Sequence, residues 1–508
     1  MSRKNVTILG VVGSLRNARF GRGSDALVEE IQELKSQEAL VDYLKEQSAF
    51  QVEAFLAAGR KENLPFDMIY RNLRKNPGDK GLSNSEAGLA AALWGACQEG
   101  ARIRHVGLAS HFPMSGEPKN IDQLKQVVLA ADALLISGPV YFGDRSSLLH
   151  EFIELLRHDP DLKRHCQGRV YAGVSVGAKR NGGQETSLIY QIIDLSNLNM
   201  LALGNSAETT AQYGGTLQAG DVGTVWKDSY GLNTAIGSGK RLARVAGALS
   251  EGVKWRMKEP VRVGIWIVQD SADKRGQAYV QRYIEQSKNA DVAFDVIDLT
   301  EEKIARCIAC DLCPTHHAPV EEYACIIGGK EDFFVQHHAR LVSADAVLLM
   351  AYSPIDRAHG KSVYQRFIER TRYIRRGHYM LSDRLVAPFV ISEINTNQNL
   401  HIRMLTSLIR HHAILHHPII GLEQNGALLN MDYSHHQFEL FLQSAVQTTI
   451  ARIGAQAQRP DTQYNPIGYV ISPERDQMDA ESGRLTALAR EKRENQQAEK
   501  TRRLEALE

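Results

Sequence analysis

At 508 residues the chain is too long for one ordinary core, so roughly two to three domains are expected. Hydrophobic residues at 43% and charged residues at 23% describe a soluble globular protein, and a formal net charge of +1 gives no electrostatic drive toward nucleic acid or an anionic membrane. No apolar stretch is long enough to span a bilayer, and Met1 to Asn5 runs straight into a strand pattern, which reads as cytoplasmic.

The first strand pattern is Val6 to Val12, followed by a turn at Gly13-Ser14-Leu15-Arg16. Residues 17–80 read as an insertion of charged helical pattern, with helices over Ser24 to Lys35 and Leu40 to Gly59, closed by Pro77-Gly78. Gly81 to Glu86 then has the signature of a helix start, a Ser or Asn cap with acid in the first turn, and an Ala/Leu-rich helix runs on to Gly100. Strands follow at Arg102 to Val106, Ala133 to Ser137 and Val170 to Ser175, with helical segments between them, and Arg241 to Lys258 reads as a closing helix. After a joint at Glu259-Pro260 the pattern restarts: strand Val261 to Val268, helix Arg275 to Ser287, then strands at Ala293 to Ile297, Ala346 to Met350 and Leu385 to Ser392. A helix from His436 to Ala457 closes this second domain, and a Pro-, Asn- and Gln-rich stretch leads to a charged tail over Arg484 to Glu508. Strand alternating with helix predicts a parallel, doubly wound sheet in each half.

The halves share a grammar. Ala131-Asp132-Ala133-Leu134-Leu135-Ile136 and Ala344-Asp345-Ala346-Val347-Leu348-Leu349 are buried-strand runs, each leading through a Pro-containing loop into a helix that holds Phe-Ile-Glu. This predicts a tandem duplication, in which differences between the copies mark divided function.

Three loops at the carboxyl ends of the first-domain strands carry candidate ligand groups, where open α/β sheets bind ligands. Ser14, Arg16, Ser83, Asn84 and Ser85 supply hydroxyl, guanidinium and amide donors at a helix N-terminus, a combination that suits a phosphate. Pro139-Val140-Tyr141-Phe142-Gly143 offers an aromatic pair to border a planar ring. Ser175, Gly177, Asn181, Gly182, Gly183, Gln184 and Glu185 form a loop whose adjacent glycines permit close backbone approach. Gly214-Gly215 is either a further ligand loop or a simple turn.

These loops resemble those of the NAD(P)H-dependent FMN reductases and flavodoxin-like oxidoreductases. The likeness covers both domains apart from the insertion, which interrupts the family pattern between Arg16 and Ser83, and the tail. It implies two tandem flavodoxin-like doubly wound domains, 1–258 and 259–458, with a helical insertion in the first and a charged tail over 459–508. The resemblance further implies that the residues just named bind FMN, that NAD(P)H is the electron donor, that a small-molecule acceptor is reduced, and that a homodimer partner covers the flavin. No catalytic acid or base is identified, and no basic residue stands out as a 2′-phosphate reader.

The second domain has lost these features. Its loops read Gln269 to Gly276, Ser353 to Arg357 and Ser392 to Asn399, without the aromatic pair or the paired glycines. It has instead Cys307, Cys310 and Cys313 at intervals of three, followed by Cys325, whereas Cys97 and Cys166 are isolated. The compact spacing fits a [4Fe-4S] cluster and resembles the iron–sulfur flavoproteins, although the last gap is longer than in that branch; zinc and a metal-free segment are the alternatives. Five histidine pairs, at 316–317, 337–338, 411–412, 416–417 and 435–436, read mostly as helix-surface or interface residues, with His316 or His317 a test case as ligand. The expected activity is an FMN-dependent oxidoreductase; an electron carrier without its own substrate and a biosynthetic or scaffold protein that keeps the fold are the alternatives.

Overall fold

The computed structural model of the protein describes residues 6–16, 19–74, 81–204, 212–269, 274–300, 302–309, 325, 327–353, 359–378, 381–394 and 399–458. The chain divides into two compact units, Met1–Gly247 and Ala248–Glu508.

The first unit runs β1 (Thr7–Val12), α1 (Arg22–Glu33), α2 (Gln37–Phe55), α3 (Phe66–Arg74), α4 (Asn84–Gln98), β2 (Arg102–Gly107), α5 (Ile121–Leu129), β3 (Ala133–Pro139), α6 (Ser147–His158), α7 (Pro160–Cys166), β4 (Val170–Gly177), α8 (Gln184–Ser196), β5 (Leu201–Leu203), β6 (Gly215–Gln218) and α9 (Ser229–Gly252). Its strands pair in the parallel order β2-β1-β3-β4, with β5 and β6 following one another along β4. Apolar–polar alternation is absent from the central strands because both faces are covered: β3 and β4 are buried along almost their whole length. From β1 the chain moves to β2 on one side and returns to β3 on the other. The carboxyl ends of β1 and β3 therefore flank the switch point, where the flavodoxin-like order places its ligand.

Helix α4 explains the insertion. Every residue from Ser85 to Ala96 is buried, so the helix is covered on all sides. It packs on β1, β3 and β4, while α1 and α2 of the insertion cover it from outside. Its small residues admit α9 closely: a Cβ on Gly239 would lie 1.8 Å from the Ala92 carbonyl oxygen. The insertion is also latched by charge. Glu86 Oε1, fully buried in the first turn of α4, lies 3.3 Å from Arg19 Nε and 3.1 Å from His105 Nε2. His105 Nδ1 lies 3.1 Å from Ser24 Oγ, and Arg19 Nη2 donates to the Gly81 carbonyl at 2.6 Å. Arg19 and Ser24 belong to the insertion, Glu86 and His105 to the sheet layer. The described part of the insertion is thus an integral wall of the unit.

The second unit runs β7 (Val261–Val268), α10 (Arg275–Gln286), β8 (Val292–Asp298), α11 (Phe333–Gln336), α12 (His338–Ser343), β9 (Ala346–Ser353), α13 (His359–Arg370), α14 (Arg372–His378), β10 (Leu385–Glu393), α15 (Leu400–Leu408), β11 (Ile414–Leu415), β12 (Ile419–Gln424), β13 (Ala427–Leu428) and α16 (Met431–Gln458). Its parallel order is β8-β7-β9-β10, with β11 and β12 successive along β10, so each unit has the same strand order. Pro388 sits inside β10, where a missing N–H normally excludes proline. The gap between β11 and β12 falls opposite it, because β11 pairs with Leu385 and Val386 and β12 begins pairing at Phe389.

That interruption brings a correction. His411, His412, His416 and His417 flank it and are buried, not at the surface as the sequence suggests. His411 Nε2 lies 3.2 Å from Thr371 Oγ1, and the His416 ring packs edge-on against Phe441. Burial pushes the pKa of three of them down, to about 3 for His411, about 4 for His416 and about 3 for His417. Among the described residues no helix is long and apolar enough to cross a membrane.

Candidate functional site

The three predicted loops converge at the carboxyl ends of β1, β3 and β4. The Gly13 amide donates to the Ser137 carbonyl at 2.9 Å, and Ser146 Oγ returns a bond to the Gly13 carbonyl at 2.7 Å. Ser137 Oγ donates to the Ser85 carbonyl at 2.8 Å, tying the start of α4 to β3. Phosphate-type groups are therefore gathered around one helix end. Ser14 is buried and its Oγ accepts the Arg16 amide at 3.3 Å. Ser83 caps α4, its Oγ accepting the Glu86 amide at 3.2 Å. A helix start has more free amides than one cap uses. Ser14, Ser83, Ser85 and the first amides of α4 thus fit an anion. Asn84 is engaged elsewhere, because its side chain holds the loop at 221–225. It donates to the Asp221 carbonyl at 2.9 Å and accepts from the Thr224 amide at 3.2 Å.

The second loop is a tight turn. The Tyr141 amide donates to the Asp144 carbonyl at 2.7 Å, the Asp144 amide donates back at 2.9 Å, and Phe142 and Gly143 take φ of 52° and 83°. This left-handed pair lifts the aromatic side chains outward. Tyr141 is 57% exposed and Phe142 fully so, a cost in water that a ring stacked against them would remove. Pro139 ends β3, and the Val140 amide donates to the Val176 carbonyl at 3.0 Å. Arg145, buried just beyond the turn, pairs with Asp194 of α8 and approaches His150 Nδ1 at 3.3 Å.

The third loop is braced from within. Gln184 accepts the Gly182 amide at 2.7 Å and donates to the carbonyls of Lys179 at 2.7 Å and Leu217 at 3.0 Å, so its amide group is fully used. Gly183, at φ 99°, has no room for a side chain: a Cβ would lie 2.9 Å from Gly143 Cα. The paired glycines here bring loop against loop. Asn181, Gly182 and Glu185 remain exposed, while Gly177 is buried and Ser175 Oγ is buried with no hydrogen-bond partner among the described residues. Arg180 leaves the loop to pair with Asp228 and stack over Tyr230 at 5.1 Å. Gly214 packs on β4, where a Cβ would meet the Gly173 carbonyl at 2.3 Å, so Gly214-Gly215 serves the sheet.

At the matching strand ends of the second unit, the chain's own side chains occupy the corresponding places. Gln269 accepts the Gln277 amide at the start of α10 at 3.2 Å and donates to Asp298 Oδ2 at 2.8 Å. Arg275 lies 4.9 Å over the Tyr352 ring and pairs at 2.7 Å with Glu423, whose side chain is fully buried. Residues 270–273, 354–358 and 395–398 of its three loops lie outside the described residues.

Of the cysteines, Cys310 and Cys313 lie outside the described residues, as do His316 and His317. Cys307 Sγ accepts the Ala309 amide at 3.4 Å, with Ala309 at φ 52°. Cys325 is buried, and its carbonyl accepts Arg370 Nη2 at 3.2 Å. Arg370 also donates to the Ala305 carbonyl at 3.0 Å and forms a fully buried ion pair with Asp332 at 2.8 Å. One ion pair therefore fixes both described ends of the cysteine segment. Cysteine sulfur is the ligand type that an iron–sulfur or zinc centre takes, and among the described residues no group of three or more His, Cys, Asp and Glu gathers as metal ligands. Cys166, in contrast, is buried and its thiol is pushed up to about 12, which keeps it protonated.

The sequence missed the long-range braces, because Arg180 with Asp228 and Arg145 with Asp194 are 48 and 49 residues apart and share no motif.

Parts of the chain are similar to known proteins. Residues 78–212 match the family model described as NADPH-dependent FMN reductase. An iron–sulfur flavoprotein of Methanocaldococcus jannaschii is 33% identical over 126 residues, covering 25% of this chain and 64% of the relative. An iron–sulfur flavoprotein of Archaeoglobus fulgidus is 32% identical over 123 residues, covering 23% of this chain and 61% of the relative. The chain thus spans somewhat under two thirds of the length of these curated relatives. Among solved structures, a WrbA-like flavodoxin from Agrobacterium tumefaciens matches 48% of this chain and 98% of its own at 15% identity and a TM-score of 0.25. The Trp repressor binding protein of Bacillus subtilis matches 46% of this chain and 96% of its own at 15% identity and a TM-score of 0.23. The fold assignment rests on the strand order.

Proposed function

We propose that this relative of the NADPH-dependent FMN reductases and iron–sulfur flavoproteins is an oxidoreductase that binds FMN in its first unit and passes electrons from NAD(P)H to a small-molecule acceptor. The observation that carries the reading is the asymmetry between units. In the first, the serines and amides at the α4 start and an outward-facing aromatic pair come from neighbouring strand ends; in the second, Gln269, Arg275, Tyr352 and Glu423 use the matching places.

In this reading Ser14, Ser83 and Ser85 hold the flavin phosphate, Tyr141 and Phe142 border the ring, and the loop from Gly177 to Glu185 meets its edge. Arg145 and Arg180 keep the second and third loops in register. Bound FMN accepts a hydride as two electrons and can release them singly, which is the cofactor's chemistry. The cysteine segment of the second unit, its ends fixed by Arg370 and Asp332, would hold a [4Fe-4S] centre through Cys307, Cys310, Cys313 and Cys325, which would supply one-electron chemistry; zinc is the alternative that the same cysteines would serve. A second copy of the chain covers the exposed aromatic pair. The common strand order of the units supports a tandem duplication as their origin.

Stopped-flow mixing of the flavin-loaded protein with NADPH tests the activity: bleaching of the flavin band followed by reoxidation on adding an acceptor supports it. A flavin that stays oxidised with both NADPH and NADH would remove the pyridine-nucleotide step and leave the electron-carrier reading.

A further inference from the structure

The insertion brings a second guanidinium to the phosphate loop. Arg16, at the end of that loop, turns sideways so that its Cζ lies 5.1 Å from the centre of the Phe55 ring of α2. Arg60 comes to the same ring at 4.7 Å. Arg60 is aimed there by an irregular backbone: α2 ends in a kink over Leu56–Arg60, with Gly59 at the non-helical φ of 100°. A Cβ on Gly59 would fall 2.1 Å from Leu64 Cδ1, so the turn is closed around glycine.

Both arginines are exposed, and among the described residues neither has a carboxylate or other hydrogen-bonding partner besides the shared ring. Two of the insertion's other arginines are paired, Arg19 with Glu86 and Arg71 with Asp67. Two like charges at one aromatic ring repel each other, and the ring offsets that only in part. A dianion between them would relieve the repulsion, and the guanidinium fork matches phosphate oxygens.

We propose that Arg16 and Arg60 form a two-guanidinium seat for a phosphate dianion, with Arg60 contributed by the insertion. The ligand is the phosphate of FMN itself or the 2′-phosphate of the nicotinamide donor. This rests on the reading of Gly13 to Arg16 as a phosphate loop.

The test compares Arg60→Gln with Lys61→Gln, an adjacent charge removal. Apo-protein is melted in inorganic phosphate and in chloride at equal ionic strength. Phosphate raises the melting temperature of wild type and Lys61→Gln, and this rise is lost in Arg60→Gln. No phosphate response in wild type, or an equal response in Arg60→Gln, overturns the proposal. Ligand arms then separate the sources. If the seat serves the flavin, Arg60→Gln weakens FMN about tenfold and riboflavin not at all. If it serves the donor, the preference of kcat/KM for NADPH over NADH falls about tenfold with FMN affinity kept. If neither change occurs, the proposal is overturned. A wild-type protein that binds no FMN sinks the flavin reading, while the phosphate melt still decides the seat.

Discussion

Mild acid should selectively loosen the second unit through His411, His416 and His417. All three are buried, and burial holds their folded-state pKa at about 3, about 4 and about 3, against an ordinary value of 6.5. A histidine with a depressed folded pKa stabilises the fold fully above its unfolded pKa. That stability is lost as pH falls below it, because the unfolded chain takes up protons that the fold refuses. From pH 7.5 to 5.5, only the last unit lies below 6.5, so each histidine withdraws roughly 1.4 kcal/mol and the three about 4 kcal/mol. The loss is large against a total stability of roughly 5–15 kcal/mol. His401, also depressed by burial, acts in the same direction, and the positive charge of Arg375 opposes protonation of His411. Hydrogen exchange of the peptides covering β10 to β12, followed through a urea series at each pH, measures the loss locally. His411→Asn should remove about a third of the slope. Unchanged protection from pH 7.5 to 5.5 would refute the claim that these rings are buried and neutral.

Four further outcomes follow from single contacts. Asp332→Asn leaves Arg370 as an isolated buried charge and should cost roughly 3–5 kcal/mol in urea denaturation, with faster labelling of Cys307 and Cys325 by a thiol reagent. Glu86→Gln strips the partner from Arg19 and should expose residues 17–80 to limited proteolysis well before the sheet core, through a loss of similar size. Gly183→Ala meets Gly143 and a positive φ, so a cost of roughly 1–2 kcal/mol and weaker FMN retention on dialysis are expected. Phe142→Ala should change stability by less than about 0.5 kcal/mol yet alter the fluorescence of bound flavin.

The long strands were legible because their apolar runs are continuous: Val6 to Val12, Ala133 to Ser137, Val261 to Val268 and Leu385 to Ser392 all fall on strands of the sheet. The two- to six-residue strands β5, β6, β11 and β12 carried too little pattern, since each pairs with only half of a neighbour. The closing helix of the first unit begins at Ser229, ahead of the expected Arg241, because Asp228 caps it by accepting the Gly231 amide at 3.0 Å, a start hidden in a glycine-rich stretch. The three loops were found from motif and position together. What sequence could not give was the use of each residue: Gln184 and Asn84 hold the protein's own loops, and the double glycine at 182–183 serves loop packing. Such assignments depend on partners far along the chain. The buried histidines were misplaced because polarity argued for the surface, while the break opposite Pro388 drew them inward.

The most direct test of divided function is to purify the protein anaerobically, record its absorbance spectrum, and quantify FMN, iron, sulfide and zinc per chain. One FMN per chain is predicted, with roughly four irons and matching sulfide if the thiolates hold a cubane cluster. Two FMN per chain would contradict the division between the units. No flavin, even after reconstitution, would contradict the flavin site itself.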